Sequence, residues 1–191
     1  MKKTICIFTI LISTALFSQN EKGDIPYYEI PAYSDTYTAG TVAARQVDAL
    51  GFRFYWASEG LTEKDLIYKP NDSVRTTRET VNHIYDLSII ILNATLKKTN
   101  ADEADDNYAF EEKRKQILIN LKTAAEILRA SDDISQFKII FGEREIPFWN
   151  NINGPIADAI WHSGQIASFR RTTGNPINPN ISHFSGTVKN L

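Results

Sequence analysis

Asp158, His162 and Gln165 form a polar seam in an otherwise apolar segment, Asp158-Ala-Ile-Trp-His162-Ser-Gly-Gln165. In a helix, residues four apart stand one above the other with Cβ atoms roughly 5–6 Å apart, so Asp158 and His162 address one point. Gln165 and Phe169 continue the same stripe. The flanking Ile156, Ala157, Ala159, Ile160, Trp161, Ile166 and Ala167 leave almost no polar face, and a helix apolar all round is normally a buried one. A carboxylate in such surroundings neutralises, pairs or binds a metal.

A further ligand has to come from another helix, and His83 is the candidate. His83, Leu87, Ile90 and Ala94 share one helical stripe, which turns the imidazole toward the core side. The chain holds three histidines, and two of them sit at core-facing positions. Two imidazoles and one carboxylate, from His83, Asp158 and His162, suit zinc with a water in the fourth position. The same donors also accept iron, nickel or manganese, since affinity order alone does not select the ion. Gln165, one turn beyond His162, is placed either to orient a ligand or water by a hydrogen bond or to satisfy polar groups between helices. A structural alternative stands beside the metal reading: Asp158 pairs with His162, or with a neighbouring arginine, and no ion is involved.

The elements that must position these residues are helical. Ala43, Val47, Leu50, Phe54, Ala57 and Leu61 fall on one side at helical spacing and predict a first helix over about 38–59, ended by Gly60. Thr76-Thr-Arg-Glu79 is a capping box that opens a second helix reaching about residue 98. An acidic loop over 102–106 precedes a third helix over about 108–130, with Phe110, Ile117, Leu121, Ala124 and Leu128 inward and Glu111, Lys113, Lys115, Lys122 and Glu126 toward water. A small β-hairpin is predicted from Phe137 through Gly142 to Ile146. The fourth helix begins near Pro147, with a kink at Pro155, or at Pro155 itself; Gly174 and Pro176 stop it. These elements predict an all-α fold, a four-helix bundle with a minor hairpin, and bundles build metal sites from side chains on facing helices.

The ends of the chain read differently. Residues 1–18 have a basic start at Lys2 and Lys3, a short apolar run and small Ser18, the pattern of an export signal. The run is shorter than the roughly 20 residues that span a bilayer, so export to the periplasm or medium without stable membrane insertion is expected. Residues 19–37, with Pro26 and Pro31, read as an extended arm carrying Tyr27, Tyr28 and Tyr33 on the surface; 38–174 form the bundle domain, and 175–191 an extended tail.

Composition narrows the chemistry. The single cysteine, Cys6, lies within the signal, which excludes disulfides and thiolate sites in the mature protein. The chain has 21 basic and 23 acidic residues; without Lys2 and Lys3 the balance is 19 against 23, a net charge of −4. That balance argues against a nucleic-acid partner, which needs clustered basic residues.

His83 within Glu79-Thr-Val-Asn-His-Ile, followed on a late helix by Asp158 and then His162-Ser-Gly-Gln165, resembles the DinB-like superfamily, also called YfiT-like metal-dependent hydrolases. The likeness covers about residues 39–171. Members are four-helix bundles whose metal is held by one histidine of the second helix and a His-x-x-x-His pair on the last. Here Asp158 takes the place of the first histidine of that pair, a harder ligand that changes metal preference. Members with assigned activities include thiol transferases and isomerases that use intracellular thiols, so an exported member is expected to act on something else. The resemblance implies a hydrolase or transferase acting on a small molecule. The alternative is a small-molecule-binding or stress-response module that has lost the metal.

Other polar residues read more plainly. Asp48, Tyr55 and Glu59 are expected on a solvated or hairpin-facing side of the first helix, and Arg170 and Arg171 at the negative end of the fourth helix's dipole. His183 is expected exposed in the tail. Trp56, Trp149 and Trp161 are expected in the core or a pocket wall, and Gly164 at a close helix contact. A homodimer is compatible with either function.

Overall fold

The computed structural model describes residues 25–101 and 108–189. The segment expected to be an export signal, the start of the expected arm, the acidic stretch 102–106 and the last two residues of the tail lie outside them. The protein is mainly helical, with small sheets.

Helix α1, Ala39–Ser58, is opened by Thr38, whose hydroxyl accepts the Thr41 N–H at 3.1 Å while its own N–H donates to the Thr41 hydroxyl at 2.9 Å. A short helix α2, Glu63–Leu66, follows Gly60, which adopts a positive φ of 66°. Helix α3, Thr77–Leu96, starts at the expected capping box: Thr76 accepts from the Glu79 N–H at 3.2 Å, and the Glu79 carboxylate accepts from the Thr76 N–H at 2.7 Å. Helix α4, Phe110–Arg129, begins where the Glu112 carboxylate accepts the Ala109 N–H at 3.1 Å.

The predicted hairpin forms from β2, Ile139–Phe141, and β3, Arg144–Ile146, turning at Gly142 with φ 57°. An unforeseen strand, β1, Thr99–Asn100, lies parallel to β2. The last helix starts early, at Pro147, as α5, Phe148–Asn151. It widens into a π-helical stretch, Ile152–Ile156, and continues as α6, Ala157–Thr172. Pro155 lies inside that stretch; it lacks an N–H and its ring crowds the preceding turn, so the regular i to i−4 ladder cannot run through it.

Helix α1 packs on α4 and α6, and α3 packs on the same two. Val47, Leu50, Phe54, Ile84, Ile91, Ile117, Leu121, Leu128 and Ile166 are sealed between them. Each such side chain contributes about 1.5–3 kcal/mol on burial.

Several surface expectations are overturned. Asp48 and Tyr55 are buried, not solvated, because the arm and α4 cover that side of α1. Asp48 accepts from Tyr27 at 3.2 Å and pairs with Arg129, and Glu59 pairs with Arg114. Tyr27 is likewise buried, its ring lying against Gly51, where a Cβ would come within 2.4 Å of it. Tyr28 is half-buried and receives the Trp56 indole N–H on its carbonyl at 3.1 Å, whereas Tyr33 stays exposed. Lys113, expected in water, is buried with its ammonium 5.1 Å from the Tyr85 ring centre.

Arg170 does not serve its own helix. Its guanidinium reaches the carbonyls of Trp56, Ala57 and Glu59 at 3.1, 3.1 and 2.8 Å, satisfying the end of α1, and it also holds Asn175. The tail is not simply extended: β4, Ile181–Ser182, and β5, Thr187–Val188, form an antiparallel pair clasped to the arm through Ile30 N–H to Gly186 O at 2.8 Å and Val188 N–H to Glu29 at 2.7 Å.

Candidate metal centre

His83 lies in the second turn of α3 and Asp158 in the first turn of α6, and the packing of these two helices brings them together across 75 residues of chain. His83 Nε2 is 3.0 Å from Asp158 Oδ2. His162 Nε2 is 3.4 Å from the other carboxylate oxygen, Oδ1. The two imidazoles meet edge to face with ring centres 4.9 Å apart. One ligand atom from each of the three residues lies within 4.8 Å of the others, so the group can hold a metal ion. All three are partly exposed, His162 the least.

The orientation of His162 is set from within its own helix. Its Nδ1 lies 2.8 Å from Gln165 Oε1. A carbonyl oxygen only accepts, so this contact takes a proton on Nδ1 and, in the neutral ring, leaves the Nε2 lone pair facing Asp158. An imidazole lone pair and a carboxylate oxygen turned toward each other form an arrangement that a metal ion or a shared proton can bridge. The donor set and its orientation therefore fit a divalent ion.

No family model matches this chain, and no curated protein and no solved structure matches it. Its chemistry rests on the side chains themselves.

Beside Asp158 a cleft of about 740 Å³ opens between α3, the hairpin and the α5–α6 segment. Leu87, Ile90, Ile139, Ile146 and Trp161 supply much of its wall, with Arg144, Asn150 and Asn153 as polar members. The sequence reading missed the cleft, although a signal for half of it exists: across the Gly142 turn, Ile139, Phe141, Arg144 and Ile146 alternate onto one face of the hairpin.

The other candidates separate from this centre. His183 meets the Phe52 ring edge to face, with centres 5.9 Å apart, and burial followed by the charge of Arg53 lowers its pKa; it is no part of the three-residue group. Trp56 is buried and Trp161, though 78% exposed, lines the cleft wall, both as expected, whereas Trp149 is 72% exposed and belongs to neither core nor cleft. Helix α6 is thus not buried all round: one side packs on α1 and α3, and the side bearing Trp161 faces outward. A Cβ at Gly164 would meet nothing within 4 Å, so that glycine serves no close helix contact.

Proposed function

We propose that this chain is an exported DinB-like four-helix bundle that binds a divalent metal through His83, Asp158 and His162 and acts as a hydrolase or transferase on a small molecule. The observation that carries the reading is the Gln165 contact to His162 Nδ1, which aims Nε2 at the Asp158 carboxylate. Support for the bundle comes from the mutual packing of α1, α3, α4 and α6. A bound divalent ion with an open position supplies Lewis acidity, lowering the pKa of a coordinated water or thiol and polarising an electrophile. Zinc, nickel, iron and manganese are the candidate ions. Among this chain's own residues, His83 and His162 bring neutral donors, Asp158 brings charge, and Gln165 holds His162 in register. The net negative charge speaks against nucleic acid as the partner, and among the described residues no helix is long and apolar enough to cross a membrane.

The test is elemental mass spectrometry on mature protein purified without a histidine tag. Near-stoichiometric metal in wild type, lost in His83→Ala with an unchanged helical spectrum, is the expected result. Absence of metal from wild type after supplementation with zinc, nickel, manganese and anaerobic ferrous iron would overturn it.

A second reading is favoured by the 3.0 Å separation of His83 Nε2 and Asp158 Oδ2, a good hydrogen-bond length. In that reading the protein is a small-molecule-binding or stress-response module, and Asp158 ties two histidines together without metal. It predicts a melting temperature indifferent to EDTA, whereas an ion bound to the native state alone raises that temperature.

A further inference from the structure

We propose that the cleft beside Asp158 binds a small organic anion, an acid group carried on an apolar body, and that Arg144 receives its charge. This deepens the reading of the metal centre and rests on it for the reacting end of the ligand.

The hairpin has two chemically different faces. In its antiparallel register Ile139 opposes Ile146 and Phe141 opposes Arg144, so these four side chains share the face that lines the cleft. On the other face Ile140 opposes Glu145, and Glu145 is paired with Lys138. The outer charges thus neutralise each other. Arg144 stands alone among apolar neighbours on the inner face, and among the described residues it makes no ion pair.

An arginine on an apolar wall has a specific use. Its planar donors match a carboxylate or phosphate in a bidentate fork. The acid that also lines the cleft, Asp158, is already addressed by His83 and His162. Leu87 and Ile90 of α3 and Trp161 of α6 give the body of the ligand an apolar bed, and the 78% exposure of Trp161 leaves its indole open to solvent without a ligand. A pocket with mostly apolar walls and a few placed polar groups is the usual form of a small-molecule site. Bound this way, a ligand lies along the same cleft wall that carries Asp158, which puts its uncharged part within reach of the metal centre.

The experiment compares 3-phenylpropanoate with its neutral isostere 3-phenylpropanamide. Binding is followed by NMR at the indole N–H of Trp161, assigned by its loss in Trp161→Phe. EDTA is present throughout, so the acid has no metal to ligate. The acid is expected to bind about tenfold or more tighter than the amide. Arg144→Gln is expected to abolish that preference by weakening the acid alone, and Arg144→Lys to keep part of it. His83→Ala, which removes a proposed metal ligand, is expected to leave the preference intact. Equal binding of acid and amide, no saturable shift with either, or a preference that survives in Arg144→Gln would each overturn the proposal. Metal content, measured separately, reports on the metal centre: a metal-free protein that still prefers the acid sinks the metal reading and spares this one, and a metalloprotein indifferent to the acid does the reverse.

Discussion

Gln165 Oε1 sits 2.8 Å from His162 Nδ1, one turn along the same helix, and so determines which ring nitrogen of His162 faces Asp158. Hydrogen-bond partners of metal-bound histidines hold the ring's tautomer and angle, and their loss typically weakens metal binding about 10–100-fold. Gln165→Leu is expected to fall in that range. Gln165→Glu, a stronger acceptor of the same reach, is expected to bind at least as tightly as wild type. Competitive titration against a chromophoric chelator measures both, and an unchanged affinity in Gln165→Leu would remove Gln165 from the site.

Asp65 is the group from which an acid limb of stability is expected. It is buried, and burial works to raise its pKa. The hydrogen bonds from Thr173, from Asn175 at 2.8 Å and from the Thr62 N–H and hydroxyl outweigh that effect and hold the carboxylate well below the ordinary range. The unfolded chain therefore takes up this proton before the folded one does. Its contribution is full above the unfolded value, about 3.9, and is lost as pH falls from there toward the folded value. Asp65→Asn is expected to be less stable at neutral pH and to lose less stability between about pH 5 and pH 2. Urea midpoints across that window decide it; parallel decline of the two proteins would show that Asp65 is not the source.

The Tyr27 ring occupies the space that a side chain at position 51 would need, with Cδ2 2.4 Å from an added Cβ. Gly51→Ala is expected to destabilise the protein by about 1–3 kcal/mol, the usual cost of overpacking. In a Tyr27→Ala background the same change is expected to be stabilising by up to about 1 kcal/mol, since alanine is the better helix former. A double-mutant cycle by urea unfolding checks the reversal of sign. Additive effects would mean that the arm yields to the methyl group without loss.

Local rules made much of this protein legible in its sequence. The capping box at Thr76 and Glu79, the buried α1 stripe from Ala43 to Ala57 and the hairpin turn at Gly142 all rest on spacing within one helix or hairpin, and all three form. The i,i+4 step that sets Asp158 over His162, and the next turn that brings Gln165, are of the same kind. The inward stripe of His83 named its helix face, and packing of α3 on α6 carried it to Asp158.

Periodicity reports one preferred face per helix and is silent about what covers the other. The arm and α4 decide that Asp48, Tyr55 and Tyr27 are buried. Arg170 caps α1 from 111 residues away in the chain, so no local pattern distinguishes it from an arginine serving its own helix. Trp161 has the apolarity of a core residue and faces outward, because α6 has partners on one side only. Interactions a turn or a strand pair apart thus made the long helices, the hairpin and the candidate ligands legible, whereas β1 and the β4–β5 pair were not. The cleft, the absence of an ion pair to Arg144 among the described residues, and the partners of the buried charges come from tertiary packing alone, because each depends on which distant surfaces meet.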